Sequence, residues 1–535
     1  MAVDVSIAHV RPTGVASGPV EAADAEAALF DGVLEQAESM IAWARSGEAL
    51  GLEHDVLEEK VLAEGYELMR RLTEAHVAVR AAREQRRGDV TDAEGDLRVT
   101  AERGREHTRI MIYGPVRTWR IAYRKRGKEN LYPQDRELNW AVAHSYSAGV
   151  VKRVAKASAV APFEQAAAQV SAQGAITLGK RQAEELAIAA VADFEAFYAA
   201  RQPGPSPAAT GLLITADGSA FPVLPAALRP ATAKAAAARA RSASASGWPA
   251  DPGELRKSRK RTAELACVAD IPPAPRTTAE ILTALFGTAT HATTMAGSSD
   301  AASQHGPKAQ GKTLFASARK PIGQVISDAF AEADRRDPGH ARPWFAVVDG
   351  NNAQIDAINA HAAKHQVNVP ILIDFIHVVQ YLWKAAGAFF NTGDPDARAW
   401  VKDQAAKILA GKARDVHAGI RRRATTYGYS TSEREGADAC ATYLENKKDY
   451  LDYPAFLAAG WPVASGLIEG AARWLIKDRM EVTGARWSLD GAEAILKLRA
   501  LTGNGDFDDY FTFHLKHEKR RNHDSRYEQP TPQAA

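Results

Sequence analysis

Hydrophobic residues follow different periods in different parts of this chain, and the first of these periods is helical. Between residues 25 and 88, apolar side chains recur three and four positions apart among charged ones, as at Val56, Leu57, Val61 and Leu62. This spacing places the apolar residues on one face of a helix. The segment therefore predicts a pair of amphipathic helices, whose apolar face suits self-association.

The pattern changes over residues 107–138, where β-branched and aromatic residues are frequent and Gly114 and Pro115 interrupt them. Strand-forming residues on both sides of a Gly-Pro pair predict a β-hairpin. Many of the remaining side chains are Arg or Lys, so this hairpin is expected to be basic.

Residues 162–187 contain two alanine-rich helical patterns around a short turn with Gly174. Thr177 is expected to cap the second helix, which opens with Lys180 and Arg181. A helix-turn-helix of this kind would place its second helix in the major groove of DNA. Two packed alanine-rich helices without a DNA role are the alternative.

After a Pro/Gly/Ser-rich linker at residues 202–210, the period becomes that of buried strands. Three apolar runs each end at an acidic residue: LLITAD at Asp217, FAVVD at Asp349 and ILID at Asp374. A further strand is expected around residues 265–268. Strands that alternate with helices predict an α/β domain.

The segments between these strands are expected to be loops and helices. Two stretches of biased composition, residues 232–247 and 287–311, are expected to be loops. Helical patterns cover residues 321–336 and 353–364. Residues 384–460 are largely helical and rich in Lys and Arg, which predicts a basic helical insertion.

The order of three acidic residues indicates metal-dependent chemistry. Asp217 and Asp349 come at the carboxyl ends of predicted strands, where open sheets place their ligand sites, and Glu469 follows on a helix that begins near Ser465. Carboxylates suit two Mg²⁺ or Mn²⁺ ions, which about 3.5–4 Å apart promote in-line displacement at phosphorus. A single Asp-Gly pair is often only a turn, so the order of all three carries the prediction.

Other polar residues accompany these carboxylates. Arg473 and Lys477 follow Glu469 at helical spacing, so the three share one face, either as an exposed ion pair or as a metal ligand beside two phosphate-binding cations. Asp374 and His377 span a strand-to-helix junction. Asp374 serves there either as an N-cap or to orient His377 toward the scissile phosphate or a neighbouring carboxylate.

The net charge is only +2, from 67 basic and 65 acidic residues. DNA binding therefore requires local basic clusters, because a patch and not the average charge neutralises phosphates. The cations expected to contact DNA are Lys180, Arg181, Arg256, Lys257, Arg259, Lys260, Arg261, Arg421, Arg422, Arg473 and Lys477.

The remaining composition bears on location. The chain has two cysteines, no apolar run of about 18 residues, and no basic start followed by an apolar stretch. These features predict a protein without a disulfide framework, a membrane span or a secretion signal. The expected location is the cytoplasm, in association with the nucleoid.

A resemblance to a known family is carried by six segments: TADGSAF, VVDGNN, LIDFIHVVQYLWKAA, GIRRRAT, GWPVASGLIEGAARWLIKDRMEVTGARWSLDGAEAILKLRAL and FHLKHEKRRNH. From about residue 25 to 525 the chain resembles ISKra-type insertion-sequence transposases, DDE enzymes distantly similar to Mutator-like transposases. The resemblance implies an α/β fold with a ribonuclease H-like mixed-sheet catalytic core, an all-helical insertion and a mostly helical N-terminal DNA-binding region.

The resemblance also implies roles for particular residues. Asp217, Asp349 and Glu469 would be the metal-binding triad. Asp374 and His377 would be the signature of Mutator-like enzymes in which Cys or Asp is followed, after two residues, by His.

The implied activity is DNA transposition. The enzyme would hydrolyse a phosphodiester at the element ends and then transfer the freed strand to target DNA. Its partners would be terminal inverted repeats, target DNA and further copies of the chain, with no membrane and no small-molecule substrate. Two alternatives are a catalytically inactive, DNA-binding transposase remnant that acts as a regulator, and a structure-specific nuclease on the same core.

These segments predict seven regions along the chain. They are a disordered N-terminus (1–24), a helical N-terminal region (25–100), a β-hairpin with a helix-turn-helix-like region (101–200), the first part of the core (211–380), the helical insertion (381–460), the last part of the core with the Glu469 helix (461–505) and a basic tail (506–535).

Overall fold

The structure is a computed structural model that describes residues 19–141, 143–202, 209–245, 259–287, 306–482 and 484–528. Several expectations fall outside these residues: the N-terminus up to residue 18, residues 203–208 of the linker, Arg256 and Lys257, and residues 288–305 of the second biased stretch. The chain divides into two compact units, one containing residues up to Ala199 and from Asp508 onward, the other Ala200–Phe507.

The first unit is mostly helical and contains one β-hairpin. Its elements are α1 (Pro19–Ala28), α2 (Asp31–Ala44), α3 (Gly47–Leu50), α4 (His54–Arg83), β1 (Thr100–Met111), β2 (Gly114–Arg124), α5 (Pro133–Leu138), α6 (Ala148–Val160), α7 (Phe163–Ala172), α8 (Lys180–Ala189), α9 (Phe194–Ala200) and α22 (Phe507–Asn522). The expected hairpin is present, with β1 antiparallel to β2 and Met111 opposite Gly114.

The helix-turn-helix segment differs from its prediction at the start of α8. The N-cap is Gly179 and not Thr177, and the side chain of Gln182 accepts a hydrogen bond from the Gly179 N–H at 2.6 Å. The reason is that Gln182 stands three residues after Gly179, the position from which a side chain reaches back to the N-cap. The helix therefore begins at Lys180, as the sequence predicts.

The C-terminal helix α22 is anchored within this same unit. Asp193 accepts hydrogen bonds from Arg521 at 2.7 Å and lies 2.7 Å from the His514 ring. Tyr510 donates a hydrogen bond to the carbonyl of Ala190 at 2.8 Å. The segment predicted as a basic tail is thus a packed helix as far as Asn522.

The second unit alternates strands with helices. Its elements are β3 (Gly211–Pro222), α10 (Pro230–Ala245), β4 (Lys260–Ile271), α11 (Thr278–Phe286), β5 (Gln310–Ser317), α12 (Ile322–Arg336), β6 (Trp344–Val348), α13 (Asn352–His365), β7 (Ile371–Ile373), α14 (Phe375–Phe389), α15 (Pro395–Leu409), α16 (Ala413–Thr426), α17 (Glu435–Asn446), α18 (Tyr453–Ala458), α19 (Gly466–Ala472), a π-helical turn (Arg473–Lys477), α20 (Asp478–Met480) and α21 (Leu489–Asn504).

A mixed five-stranded sheet forms the centre of this unit, in the order β5-β4-β3-β6-β7. β3, β4 and β5 are antiparallel neighbours, whereas β6 is parallel to β3 and β7 is parallel to β6. All five residues of β6 are buried, as expected for a strand covered on both faces. The fold of this unit is therefore α/β with a mixed sheet, as the sequence predicts.

Three expectations about this unit are wrong. Residues 232–245 are helical and not a loop, because alanine has the highest helix propensity. β5 lies in a segment for which no strand is predicted, since its neighbours in sequence are low in complexity. Asp217 does not end its strand, because antiparallel pairing with β4 continues to Pro222, opposite Lys260.

No helix among the described residues has both the length and the apolar character that crossing a lipid bilayer requires. The two cysteines, Cys267 and Cys440, are both buried and unpaired. Burial raises the pKa of each thiol to about 12, so both are inert at neutral pH.

Candidate metal centre

Three aspartates form a row toward the same end of three neighbouring parallel strands. β3 pairs with β6 from Leu212 opposite Trp344 to Ile214 opposite Ala346, and Asp217 and Asp349 each lie three residues beyond the last pair. The register of β6 on β7 places Asp374 next in the row. Adjacent strands are about 4.8 Å apart, so the sheet brings together three acidic residues that are far apart in sequence.

The carboxyl group of Asp217 responds to its neighbours. Burial raises its pKa above the ordinary value, and the charge of Asp349 raises it further, whereas the Gly218 N–H and the charges of His377 and Lys477 lower it. The Gly218 N–H donates to Asp217 Oδ1 at 2.7 Å. A half-buried carboxylate repelled by a second carboxylate is the arrangement that a bound cation relieves.

Asp349 begins a tight turn at the end of β6. Gly350 has φ +95°, and a Cβ atom there would lie 2.8 Å from the Tyr443 hydroxyl, so only glycine fits without strain. Tyr443 donates to the main-chain oxygen of Asp349 at 3.1 Å, and Asp349 Oδ1 accepts from the Asn351 N–H at 2.9 Å. The Asp-Gly pair of the sequence thus fixes the direction of the Asp349 side chain.

Asp374 is fully buried and its oxygens are occupied by hydrogen bonds. Oδ1 accepts from the Ile376 N–H at 2.6 Å, so Asp374 is the N-cap of α14, as one of its two predicted roles has it. Oδ2 accepts from the Ser465 N–H at 2.6 Å and from the Ser465 hydroxyl. Because Ser465 directly precedes α19, Asp374 holds the start of the helix that carries Glu469.

One set of three residues in the described chain has ligand atoms within 4.8 Å of one another: Asp374, His377 and Glu469. Asp217 and Asp349 are not part of this set. Glu469 is exposed, and His377 Nδ1 is buried without a hydrogen-bond partner, 4.0 Å from Asp374 Oδ1. Glu469 therefore lies at the β7 side of the aspartate row, next to His377.

The helix after Glu469 changes its geometry. Residues Arg473–Lys477 form a π-helical turn, a rare feature that is frequent at functional sites. Because a π turn contains more residues than an α turn, simple α-helical spacing does not describe the positions of Arg473 and Lys477. Lys477 carries a charge that acts on Asp217, whereas Arg473 is exposed and lies 3.4 Å from Asp478. The expectation that Arg473 and Lys477 hold phosphates beside a metal-binding Glu469 stays a prediction.

The basic cluster before β4 divides into exposed and internal side chains. Arg259 is exposed, and Lys260 forms an ion pair with Glu481 at 3.1 Å. Arg261 donates to two main-chain carbonyls at 2.7 and 2.8 Å. Its guanidinium therefore stabilises the fold. Because these donors are already used within the protein, Arg261 does not fit the predicted contact with DNA.

The other predicted DNA-contacting residues are on helix surfaces. Lys180 and Arg181 are exposed at the start of α8, and Arg181 pairs with Glu185 at 2.8 Å. Arg421 and Arg422 are exposed on α16. All four side chains are accessible to a nucleic-acid partner.

Two positioning residues of this centre have no role in the sequence-based prediction. Ser465 marks only a helix start in the sequence, and its bond to Asp374 depends on the fold. Tyr443 lies in the helical insertion and stacks on Tyr381 with ring centres 3.9 Å apart. No local pattern links either residue to the carboxylates.

The fold and this site define a class: a mixed α/β protein with acidic side chains and one histidine gathered at one end of its sheet. No protein-family model and no curated protein matches the chain.

Proposed function

We propose that this protein is a DNA transposase that cleaves and joins phosphodiesters with divalent metal ions bound by Asp217, Asp349 and Glu469. The observation that carries the proposal is that Asp217, Asp349 and Asp374 lie toward the same end of three adjacent parallel strands, where the charge of Asp349 acts on Asp217. Glu469 and His377 lie beside the same row. Carboxylates and a histidine gathered in this way offer ligands that suit a divalent cation.

The topology supports a ribonuclease H-like core. An antiparallel set of three strands is followed by two strands parallel to the first, and the Asp217 strand lies at the centre of the sheet. Four helices between residues 375 and 446 and a short fifth one separate β7 from the Glu469 helix. This order agrees with a core interrupted by an all-helical insertion, as the resemblance implies.

The residues of the site suit phosphoryl chemistry. Two Mg²⁺ or Mn²⁺ ions would activate the attacking oxygen and stabilise the leaving oxygen. Asp217, Asp349 and Glu469 offer the oxygen ligands that these ions prefer. His377 would hold or release a proton beside Glu469, and Lys477 would contact a phosphate. Asp374 acts as a positioning residue because hydrogen bonds occupy its oxygens.

The reaction has two balanced steps. Water attacks the phosphorus at an element end, the bond from phosphorus to the 3′ oxygen breaks, and a 3′-hydroxyl and a 5′-phosphate result. The freed 3′-hydroxyl then attacks a phosphodiester of the target, forms a new bond to phosphorus and releases a 3′-hydroxyl of the target strand. Both are in-line displacements and need no oxidant or reductant.

Partners are part of the proposal. Terminal repeats would contact the first unit at the start of α8, through Lys180 and Arg181, with further contacts by Arg421 and Arg422. Self-association is supported by large apolar side chains that are exposed on the N-terminal helices: Leu34, Ile41, Leu50, Val56, Val61, Leu62, Met69 and Leu72. A concentration of exposed apolar residues on one region marks an interaction surface.

The direct test is a cleavage and joining assay on duplex DNA that carries the ends of the encoding element, with Mg²⁺ and, as a control, with EDTA. We expect nicking at the ends and covalent joining to a second duplex in Mg²⁺ alone. The variant Asp349→Asn should lose both steps and keep DNA binding. Nicking without joining would support a structure-specific nuclease, and binding without nicking would support an inactive remnant.

Self-association has its own measurement. Light scattering on the eluting protein should give a mass above 57.6 kDa for the wild type. The double variant Leu62→Lys/Leu72→Lys should shift it toward the monomer, because charges would disrupt an apolar interface. A monomeric wild type in the presence of element-end DNA would contradict this part of the proposal.

A further inference from the structure

Arg423 of α16 lies among four aromatic rings of the helical insertion. Its guanidinium carbon is 4.6 Å from the ring centres of both Phe389 and Phe390, 5.7 Å from that of Tyr427 and 6.0 Å from that of Trp400. Cations over aromatic faces are attracted by the negative face of the ring. The rings therefore hold the guanidinium in one place.

Hydrogen-bond donors of this guanidinium remain without a partner among the described residues. Arg423 Nε is buried without a hydrogen-bond partner, and no carboxylate among the described residues forms an ion pair with it. Arg499 provides a contrast, since it also lies over an aromatic ring, that of Trp474, but donates to the Trp474 carbonyl at 2.7 Å. Arg423 thus has aromatic contacts that fix its position and donors that remain available.

A cavity of about 370 Å³ adjoins Arg423. Lys407 and Lys412 also line it, with Asp415 as the one acidic residue of its lining. Lys407 is paired with Asp403 at 2.6 Å, whereas Lys412 is exposed. Because Asp403 offsets the charge of Lys407, Arg423 and Lys412 against Asp415 leave the cavity a net positive charge, which suits an anion.

We propose that this cavity binds a backbone phosphate of DNA, with Arg423 and Lys412 as the contacting cations. A planar guanidinium held in a fixed orientation matches the oxygens of a phosphate group. An unpaired base is a poorer occupant, because Arg423 already covers the faces of Phe389 and Phe390. The inference rests on the proposed function, which places DNA on this protein, and it adds a contact that the exposed Arg421 and Arg422 do not explain.

The test is binding of a fluorescent duplex in EDTA, measured by anisotropy at several salt concentrations. We expect Arg423→Gln and Lys412→Gln each to weaken binding about ten-fold and to reduce the salt dependence by about one phosphate contact. Arg434→Gln is the matched control, because it removes the same charge from a guanidinium already paired with Asp438 at 2.8 Å. Its binding and salt dependence should equal those of the wild type.

A variant with the opposite effect sharpens the test. Asp415→Asn removes the carboxylate of the cavity and should tighten binding about two- to three-fold, because it removes repulsion of the phosphate. Thermal unfolding of each variant separates lost folding from lost binding. Lys412 makes none of the aromatic contacts described above, so Lys412→Gln tests the site even where Arg423→Gln unfolds.

The outcomes distinguish this inference from the proposed function. Wild-type affinity and salt dependence in both Arg423→Gln and Lys412→Gln would overturn the phosphate site and leave the transposase proposal intact, since DNA would still bind. A wild-type protein that binds no DNA would overturn both. Equal weakening in Arg434→Gln would reduce the effect to net charge and would also overturn the site.

Discussion

The two ends of the central sheet contain acidic residues in opposite states. At the end where β4 finishes, Asp270 contacts Arg336 at 3.0 Å and also Arg342. Fully buried Glu332 lies 2.9 Å from Arg336 and 3.0 Å from Arg335. Every one of these charges has a partner inside the protein.

At the other end, the carboxylates face one another. Asp217 accepts a hydrogen bond from the Gly218 N–H and is repelled by Asp349. The charges of His377 and Lys477 partly offset this repulsion. The first end therefore stabilises the fold by itself, whereas the second is short of positive charge. The difference shows how a candidate cation site can be told from a structural cluster of acidic residues: its carboxylates lack basic side chains as ion-pair partners.

We call the end with Asp270 and Glu332 the saturated end, because each of its carboxylates is paired with an arginine. Removing one of these arginines should have the largest effect on stability. Arg336→Ala leaves Asp270 and Glu332 buried with fewer counter-charges, and we expect the free energy of unfolding to fall by about 3–5 kcal/mol. Urea unfolding measures it. Arg335→Ala is the control, because Glu332 keeps Arg336 in that variant, and a loss as large as that of Arg336→Ala would contradict the comparison.

The second prediction concerns the hydrogen bond between Ser465, at the start of the Glu469 helix, and Asp374, at the end of β7. Ser465→Ala removes one donor from the buried carboxylate of Asp374, and we expect a loss of about 1.5–3 kcal/mol in unfolding free energy. Cleavage should fall as well, since the Glu469 helix loses an anchor. Ser432→Ala, at an exposed serine, should be neutral, and equal losses in both variants would refute the role of Ser465.

The third and smallest effect has the opposite sign. Asp217→Asn should raise the melting temperature in EDTA by about 1–3 °C, because it removes a desolvated and repelled carboxylate. The pKa of Asp217 lies above its ordinary value of 3.8 in the folded protein. The free energy of unfolding therefore falls as the pH rises from 3.8 through the higher pKa of the folded state. Below 3.8 this loss is absent.

The pH dependence supplies the control for this prediction. The stability gain of Asp217→Asn should be present at pH 7 and should vanish as the pH falls well below 3.8, the ordinary pKa of the group, because both the folded and the unfolded wild type then carry the proton. Scanning calorimetry at several pH values measures the difference. A gain that persists unchanged at low pH would show that repulsion is not its cause.

Local patterns predict most elements of the central unit but not their pairing. The apolar runs before Asp217, Asp349 and Asp374 predict strands, and the structure has β3, β6 and β7 there. That these three residues align across the sheet depends on strand order and register, which are long-range properties. β5 escapes prediction because it follows a stretch of low complexity.

The candidate centre was predictable in its residue types and less so in its geometry. The sequence singles out Asp217, Asp349, Glu469, Asp374 and His377, yet among the described residues the three whose ligand atoms converge are Asp374, His377 and Glu469. The N-cap role of Asp374 follows from its position before a helix. Its bond to Ser465 joins residues 91 positions apart, so no local pattern contains it.

The most direct test of the central claim is Mn²⁺ binding, measured by titration calorimetry on the purified protein without DNA. We predict that the wild type binds Mn²⁺ and that Asp349→Asn and Glu469→Gln each lose at least about ten-fold in affinity. Arg335→Ala, at the saturated end of the sheet, should bind as the wild type does. Unchanged Mn²⁺ affinity in both Asp349→Asn and Glu469→Gln would contradict the claim that this end of the sheet is a metal centre.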